Sequence, residues 1–308
     1  LNINIKKDND EFNFVRSIDS LENEFIPRVV KYRKNDICDM QIYSNDDYSM
    51  CISSSGGGYL KYKGKYVSKL SRDFTNENSW GNIYIKDLDE HELFSNTYLP
   101  CKNDNLDYIC EFDLNKVRFI CKNKTINVIS EITVSKDENI EIRKVILKNL
   151  TSNEKNIEIT SYFESDIINH SIDYINDKNI CICGNENNDL FIGHSIYFDN
   201  GNLNHVEFEG KKEGFIGRNG TIQFPISMNA GSSYGNYISN GNDVIMSLRS
   251  RIKLDPYDHL SVYFLNSINE SKMDLCSIID KYRNIDVMDG LFQNNIYNLK
   301  SMMSNLNI

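Results

Sequence analysis

Apolar and polar positions alternate along most of the chain from about residue 37 to 266. Over 139–148, Ile140 and Ile142 alternate with Glu141 and Arg143, and over 156–163, Ile157 and Ile159 alternate with Glu158 and Thr160. Successive side chains of a strand point to opposite faces, so this period of two predicts strands with one buried face. Between the two runs, Asn149-Leu150-Thr151-Ser152-Asn153-Glu154 is turn chemistry, and the pair predicts a hairpin. The same pattern predicts strands over 49–52, 59–62, 81–85, 108–113, 179–183, 190–198, 206–209, 244–254 and 259–265. Many short strands with polar turns and no fixed repeat predict an all-β fold, a sandwich or barrel rather than βαβ units.

The period changes near the C-terminus. Ser271-Lys272-Met273-Asp274 has the form of a capping box, and Leu275, Ile278, Ile279 and Tyr282 follow at helical spacing. A second helix is predicted by Phe292, Ile296, Leu299, Met303 and Leu306, an apolar stripe at steps of four and three. Such a helix is stable mainly through what its stripe covers, either the sandwich itself or a helical domain beyond it. The expected organisation is a lead segment over 1–36, a β-domain over 37–268 and linker helices over 269–308. The chain opens on Leu1 rather than Met, which suggests a processed or excised piece.

Composition narrows the function classes. With 34 basic and 44 acidic side chains the net charge is −10, which argues against nucleic acid, whose phosphates favour clustered Lys and Arg. No run approaches the ~20 apolar residues of a membrane helix, and no signal peptide opens the chain. The eight cysteines contain no CxxC pair. Cys181 and Cys183 would share one face of a strand but lack further ligands nearby, so buried reduced thiols in a cytoplasmic protein are expected, with no metal and no cofactor.

Candidate chemistry is sparse. The loop Ser53-Ser54-Ser55-Gly56-Gly57-Gly58 leads into a strand rather than a helix, so a tight strand connection is expected instead of a phosphate cradle. His194 and His205 flank Asp199-Asn200-Gly201, and a hairpin there could set them beside Glu207 for acid–base chemistry on a sugar hydroxyl, as in an aldose epimerase. Trp80, the only tryptophan, follows Arg72 and Asp73. An aromatic face beside Arg and Asp suits a sugar ring and its hydroxyls; the alternative is a packed Trp with a structural Arg–Asp pair. Arg218, in Phe215-Ile216-Gly217-Arg218-Asn219-Gly220, either anchors a turn or faces a ligand.

These stretches together resemble the N-terminal sandwich of glycoside hydrolase family 94, the cellobiose, chitobiose and oligoglucan phosphorylases, and the corresponding region of cyclic β-1,2-glucan synthases. The resemblance is carried, in order, by Tyr48-Ser49-Met50 through Gly56-Gly57-Gly58-Tyr59 and by Arg72-Asp73 with Trp80-Gly81-Asn82-Ile83-Tyr84-Ile85-Lys86-Asp87. It continues through Ile132-Thr133-Val134-Ser135, Glu141-Ile142-Arg143-Lys144, Thr160-Ser161-Tyr162-Phe163-Glu164 and Phe215-Ile216-Gly217-Arg218 to the closing strands. It implies an antiparallel two-sheet supersandwich, galactose mutarotase-like, followed by linker helices. It also implies that phosphorolysis of a β-glucosidic bond, with inorganic phosphate, belongs to an (α/α)6 barrel C-terminal to the linker. The sandwich would then carry no catalytic residue, would support the barrel and a homodimer, and would border the active site with its loops; the residues read above as candidates to contact β-glucan or oligosaccharide are Trp80, Arg72, Asp73 and Arg218. A stand-alone carbohydrate-binding or epimerase-like sandwich is the alternative.

Overall fold

The computed structural model describes residues 27–32, 37–167, 170–185, 190–199, 205–229, 231, 232, 234–241 and 243–293. Strands are numbered in chain order. The largest sheet has ten, in the order β1 (Arg28–Tyr32), β8 (Asp107–Phe112), β9 (Lys116–Lys122), β10 (Ile126–Val134), β11 (Ile140–Asn149), β19 (His259–Asn269), β15 (Leu190–Phe198), β14 (Ile180–Asn185), β13 (His170–Ile175) and β17 (Asn240–Gly241). A five-stranded sheet runs β16 (Val206–Lys211), β18 (Val244–Leu254), β12 (Lys155–Glu164), β6 (Asn82–Asp87) and β7 (Glu92–Ser95). A four-stranded sheet runs β2 (Met40–Ser44), β3 (Tyr48–Ser53), β4 (Gly58–Tyr62) and β5 (Lys65–Tyr66). All the pairings are antiparallel.

The two smaller sheets are stitched together by a bridge between Ser68 and Ser165 and by the bonds Lys69 N to Glu164 O and Asp166 N to Val67 O, both 2.9 Å. They form one layer against the ten-stranded sheet, and a single apolar cluster lies between. The four-stranded sheet contributes Met50, Ile52 and Leu60, the five-stranded sheet Ile83, Ile157 and Leu248, and the ten-stranded sheet Val128, Val145 and Val262. The fold is therefore a two-layered sandwich, as the family resemblance implies, but its second layer is two sheets joined edge to edge.

The predicted hairpin is not formed. β11 pairs with β10 and β19 in the ten-stranded sheet, while β12 pairs with β18 and β6 in the five-stranded one. Residues 150–154 carry the chain from one layer to the other. Turn chemistry says that the chain reverses, not which sheet receives the next strand. Both strands are also buried on both faces at their centres, Ile142 and Arg143 in one, Ile159 and Thr160 in the other. A strand over Arg28–Tyr32 joins the ten-stranded sheet within the segment expected to lead into the fold.

Each outer face is treated differently. On the ten-stranded sheet, Ile140, Ile142, Tyr263 and Leu265 are covered by Leu275 and Ile279 of α2 (Lys272–Lys281), by Tyr282 just past its end, and by Met288 and Phe292 from helical backbone over 285–293. Ser271 caps the helix as predicted, its side chain accepting from Asp274 N at 3.3 Å. Ile296, Leu299, Met303 and Leu306 of the second stripe lie outside the described residues. On the five-stranded sheet, Tyr84, Tyr162 and Ile245 are covered by a strap whose Phe215, Met228 and Tyr234 pack onto them. The four-stranded sheet keeps Met40, Ile42 and Tyr66 exposed at 45, 59 and 40%.

Candidate functional site

Three places gather the chemistry-bearing residues: a polar seam inside the sandwich, the strap over the five-stranded sheet, and the turn over 71–78. The seam begins at Trp80, which is fully buried. The guanidinium of Arg143 lies 4.4 Å from its ring centroid, donates to Gly81 O at 2.7 Å and pairs with Glu141. Gly81 has a φ of +62°, and a Cβ there would collide with that guanidinium, so both the backbone angle and the space demand glycine. Trp80-Gly81 and Glu141-Ile142-Arg143, separate stretches of the sequence, are thus the two halves of one buried contact.

The seam continues across the sandwich. Asn266 Nδ2 donates to Glu141 Oε1 at 3.3 Å, which turns its Oδ1 toward His194 Nδ1, 2.6 Å away. That nitrogen therefore carries the proton, and Nε2 accepts from the Ser161 hydroxyl at 2.7 Å. Burial, first, and the Arg143 charge, against the opposing Asn266 bond, lower the His194 pKa to about 4. The imidazole is neutral, bonded at both nitrogens, and stacked 6.0 Å from the Phe264 ring. It is a structural link between two sheets.

The expected histidine pair does not assemble. β15, which carries His194, pairs with β14 and β19, whereas β16, which begins just after His205, pairs with β18. His205 is exposed, and its carbonyl accepts from Ser250 Oγ at 3.1 Å. Glu207 is held by Arg249, whose Nε donates to it at 2.7 Å. The epimerase arrangement fails because His194 is sealed between the two layers while Glu207 is consumed by an ion pair with Arg249 within the five-stranded sheet.

The predicted sugar contacts are likewise dispersed. Trp80 offers no exposed ring to a ligand, and its cationic neighbour is Arg143 rather than Arg72. Asp73 closes its own turn, accepting from Thr75 N at 3.1 Å and from Thr75 Oγ1 at 2.5 Å. Arg72 is exposed and has neither a hydrogen bond nor an ion pair among the described residues. Arg218 is exposed in the turn after α1 (Lys212–Ile216), on the strap. Ile226, half exposed, packs where a Cβ on the neighbouring Gly217 would fall.

The strap is clamped by the sheet beneath it. Tyr84 OH donates to Ile222 O at 2.5 Å, Lys86 Nζ to Met228 O at 2.7 Å, and Arg249 Nη1 to Ser227 O at 3.3 Å. At its root Lys212 donates to both oxygens of Glu164, at 2.8 and 3.0 Å, and Lys69 adds a third bond at 2.7 Å. Burial pushes the Glu164 carboxyl up, but these two ammoniums outweigh it and hold the pKa below the usual carboxylate value. Lys86, Arg249 and Glu164 read in sequence as surface charges. Only their alternation with apolar residues of doubly covered strands could have marked them as buried.

The turn over 71–78 lies against the β3–β4 connection. Gly57 is required because the Phe74 carbonyl sits where its Cβ would be, and Ser55 Oγ donates to Thr75 O at 2.7 Å. The glycine loop is the tight strand connection expected, with Ser53 N bonded to Gly57 O at 2.8 Å. Phe74 meets Tyr59 with ring centroids 5.6 Å apart, and Tyr59 meets Tyr66 at 5.2 Å, both edge to face. None of the described residues forms a metal-binding cluster, and no described helix is long and apolar enough to cross a membrane.

Comparison with known proteins locates this arrangement. Residues 23–285 match the family described as "Glycosyl hydrolase 94, supersandwich domain". The cyclic beta-(1,2)-glucan synthase NdvB of Rhizobium meliloti (strain 1021) is 22% identical over 280 residues, 83% of this chain, which spans only about a tenth (10%) of that relative's length. Among solved structures, a bacterial glucoamylase complexed with acarbose superposes with a TM-score of 0.54 at 8% identity, over 87% of this chain and 39% of that one. A putative aldose 1-epimerase from Escherichia coli K12 superposes with a TM-score of 0.46 at 6% identity, over 76% of this chain and 99% of that one.

Proposed function

This chain belongs to the glycosyl hydrolase 94 supersandwich family, and from that premise we propose that it serves as the non-catalytic sandwich of a β-glucan phosphorylase or cyclic β-1,2-glucan synthase. The observation that carries this reading is the fate of the buried polar groups. His194, Glu141, Arg143 and Ser161 form a sealed structural seam, and Glu207, Glu158 and Glu164 are held by Arg249, Arg251 and Lys212 on the outer face. General acid–base chemistry needs a titratable group within reach of substrate, and here those groups are committed to bonds that join the layers, neighbouring strands or the strap.

In this proposal the sandwich buttresses a catalytic (α/α)6 barrel, with α2 and the helix over 285–293 as the connection. Inorganic phosphate would be a substrate of the whole enzyme only, and a homodimer and glucan contact belong to the same reading. A cytoplasmic setting agrees with eight cysteines that are all free. The test is to incubate this chain with β-1,2- and β-1,4-gluco-oligosaccharides and phosphate and to measure glucose 1-phosphate. No release is expected; turnover that scales with the purified chain would refute the non-catalytic role.

A further inference from the structure

We infer that the outer face of the four-stranded sheet, centred on Tyr59, Tyr66 and Phe74, binds a short stretch of gluco-oligosaccharide. The inference rests on the glucan-enzyme reading above and assigns it a surface that the sequence candidates do not mark. Strand register places Ile42, Cys51 and Tyr59 in one row across β2, β3 and β4, and Lys61 beside Tyr66 across β4 and β5. Met50, Ile52, Leu60 and Tyr62 take the opposite, interior face.

The rings are preorganised. Tyr59 is wedged edge to face between Tyr66 and Phe74, and the Lys61 ammonium lies 4.5 Å from the Tyr66 ring centroid and 5.3 Å from that of Tyr59. Rings held by one another lose little freedom when a ligand stacks on them. A pyranose offers C–H faces to such rings and hydroxyls to the donors beside them. Lys61 lies over these rings and has no carboxylate partner among the described residues. Burying this cation beneath an apolar protein surface would strip its water without compensation, whereas sugar hydroxyls replace it. The chemistry therefore favours a hydrated saccharide over an apolar protein face.

The dimensions favour an oligosaccharide over a monosaccharide. From the Ile42 row on β2 to Tyr66 on β5 is three strand spacings, about 14 Å. Affinity should accordingly rise from glucose to a tetrasaccharide.

The experiment is calorimetric titration of this chain with β-1,2-gluco-oligosaccharides of two to five units, with cello-oligosaccharides as the linkage comparison. Wild type and Tyr66→Phe should bind alike, because stacking does not use the hydroxyl. Tyr66→Ala and Phe74→Ala should each weaken binding about tenfold, with circular dichroism and melting temperature unchanged for Tyr66→Ala. Heats absent for every saccharide, or unchanged in both alanine variants, would overturn the inference. So would sedimentation showing a dimer that Tyr66→Ala dissociates, since a second copy would then be the occupant. Any of these results leaves the glucose 1-phosphate assay untouched, so failure of this surface and failure of the non-catalytic reading remain separate.

Discussion

The outer faces of the two smaller sheets start from similar material and end differently. Both carry aromatics: Tyr84 and Tyr162 on the five-stranded sheet, Tyr59 and Tyr66 on the four-stranded one. On the first, side chains long enough to reach beyond the rings donate to the strap's carbonyls, from Tyr84, Lys86 and Arg249. On the second, the cation beside the rings, Lys61, lies over them and reaches no carbonyl among the described residues. Aromatic area alone does not recruit a covering segment. A passing chain must have its own carbonyls satisfied before it can settle; among the described residues the five-stranded sheet supplies three such donors beside its rings, whereas the four-stranded side holds only the short turn over 71–78, through Ser55 Oγ to Thr75 O.

The contrast can be broken most forcefully at the strap's centre. Phe215→Ala removes a ring packed between Tyr84, Tyr162 and Tyr234 and should cost about 3–5 kcal/mol in urea unfolding. A loss near that of a surface substitution would mean the strap is not part of the cooperative core. Acid tests the interior that both sheets share. His194 has its folded pKa lowered from 6.5 to about 4, so the unfolded chain binds a proton that the folded one refuses between these values. Stability should hold above pH 6.5 and fall as pH drops toward 4, by on the order of 3 kcal/mol. His194→Gln should flatten that part of the profile.

Smaller effects sharpen the comparison. Tyr84→Phe deletes one bond to the strap and should cost about 1 kcal/mol, with faster amide exchange near Ile222 while the ten-stranded sheet stays protected. Tyr66→Ala, an equally large truncation on the bare face, should shift stability by no more than about 0.5 kcal/mol. If Tyr66→Ala costs as much as Phe215→Ala, the bare face is not bare in solution.

The period-two alternation over 139–148 and 156–163 made the strands legible, and the Ser271 capping box made α2 legible, because both are local signals. What the alternation could not convey was partnership. Asn149 through Glu154 reads as a hairpin loop and is instead a crossing between layers, a distinction made by contacts as remote as Ile157 with Ile252. Trp80 shows the same limit at the candidate site. Arg72 is its near neighbour in sequence, but Arg143 is the residue that stacks on it. The face at Tyr59, Tyr66 and Phe74 was illegible because its three rings come from two strands and a turn. Only the fold brings them together.

The strand order also bears on how the protein is made. Successive stretches alternate between layers, so each sheet is assembled from pieces synthesised far apart. β18 sits between β16 and β12, and β19 sits between β11 and β15. β19 thus fills the middle of the ten-stranded sheet, and β18 joins the edge strand β16 to the rest of the five-stranded one. A nascent chain that has reached only residue 243 therefore holds two incomplete sheets, one split at its centre and one lacking the strand that ties β16 to β12, and unpaired strands of that kind attract wrong partners. The sandwich cannot close until β19 has been made through Asn269, so its strand edges stand unpaired longest just before that point in synthesis.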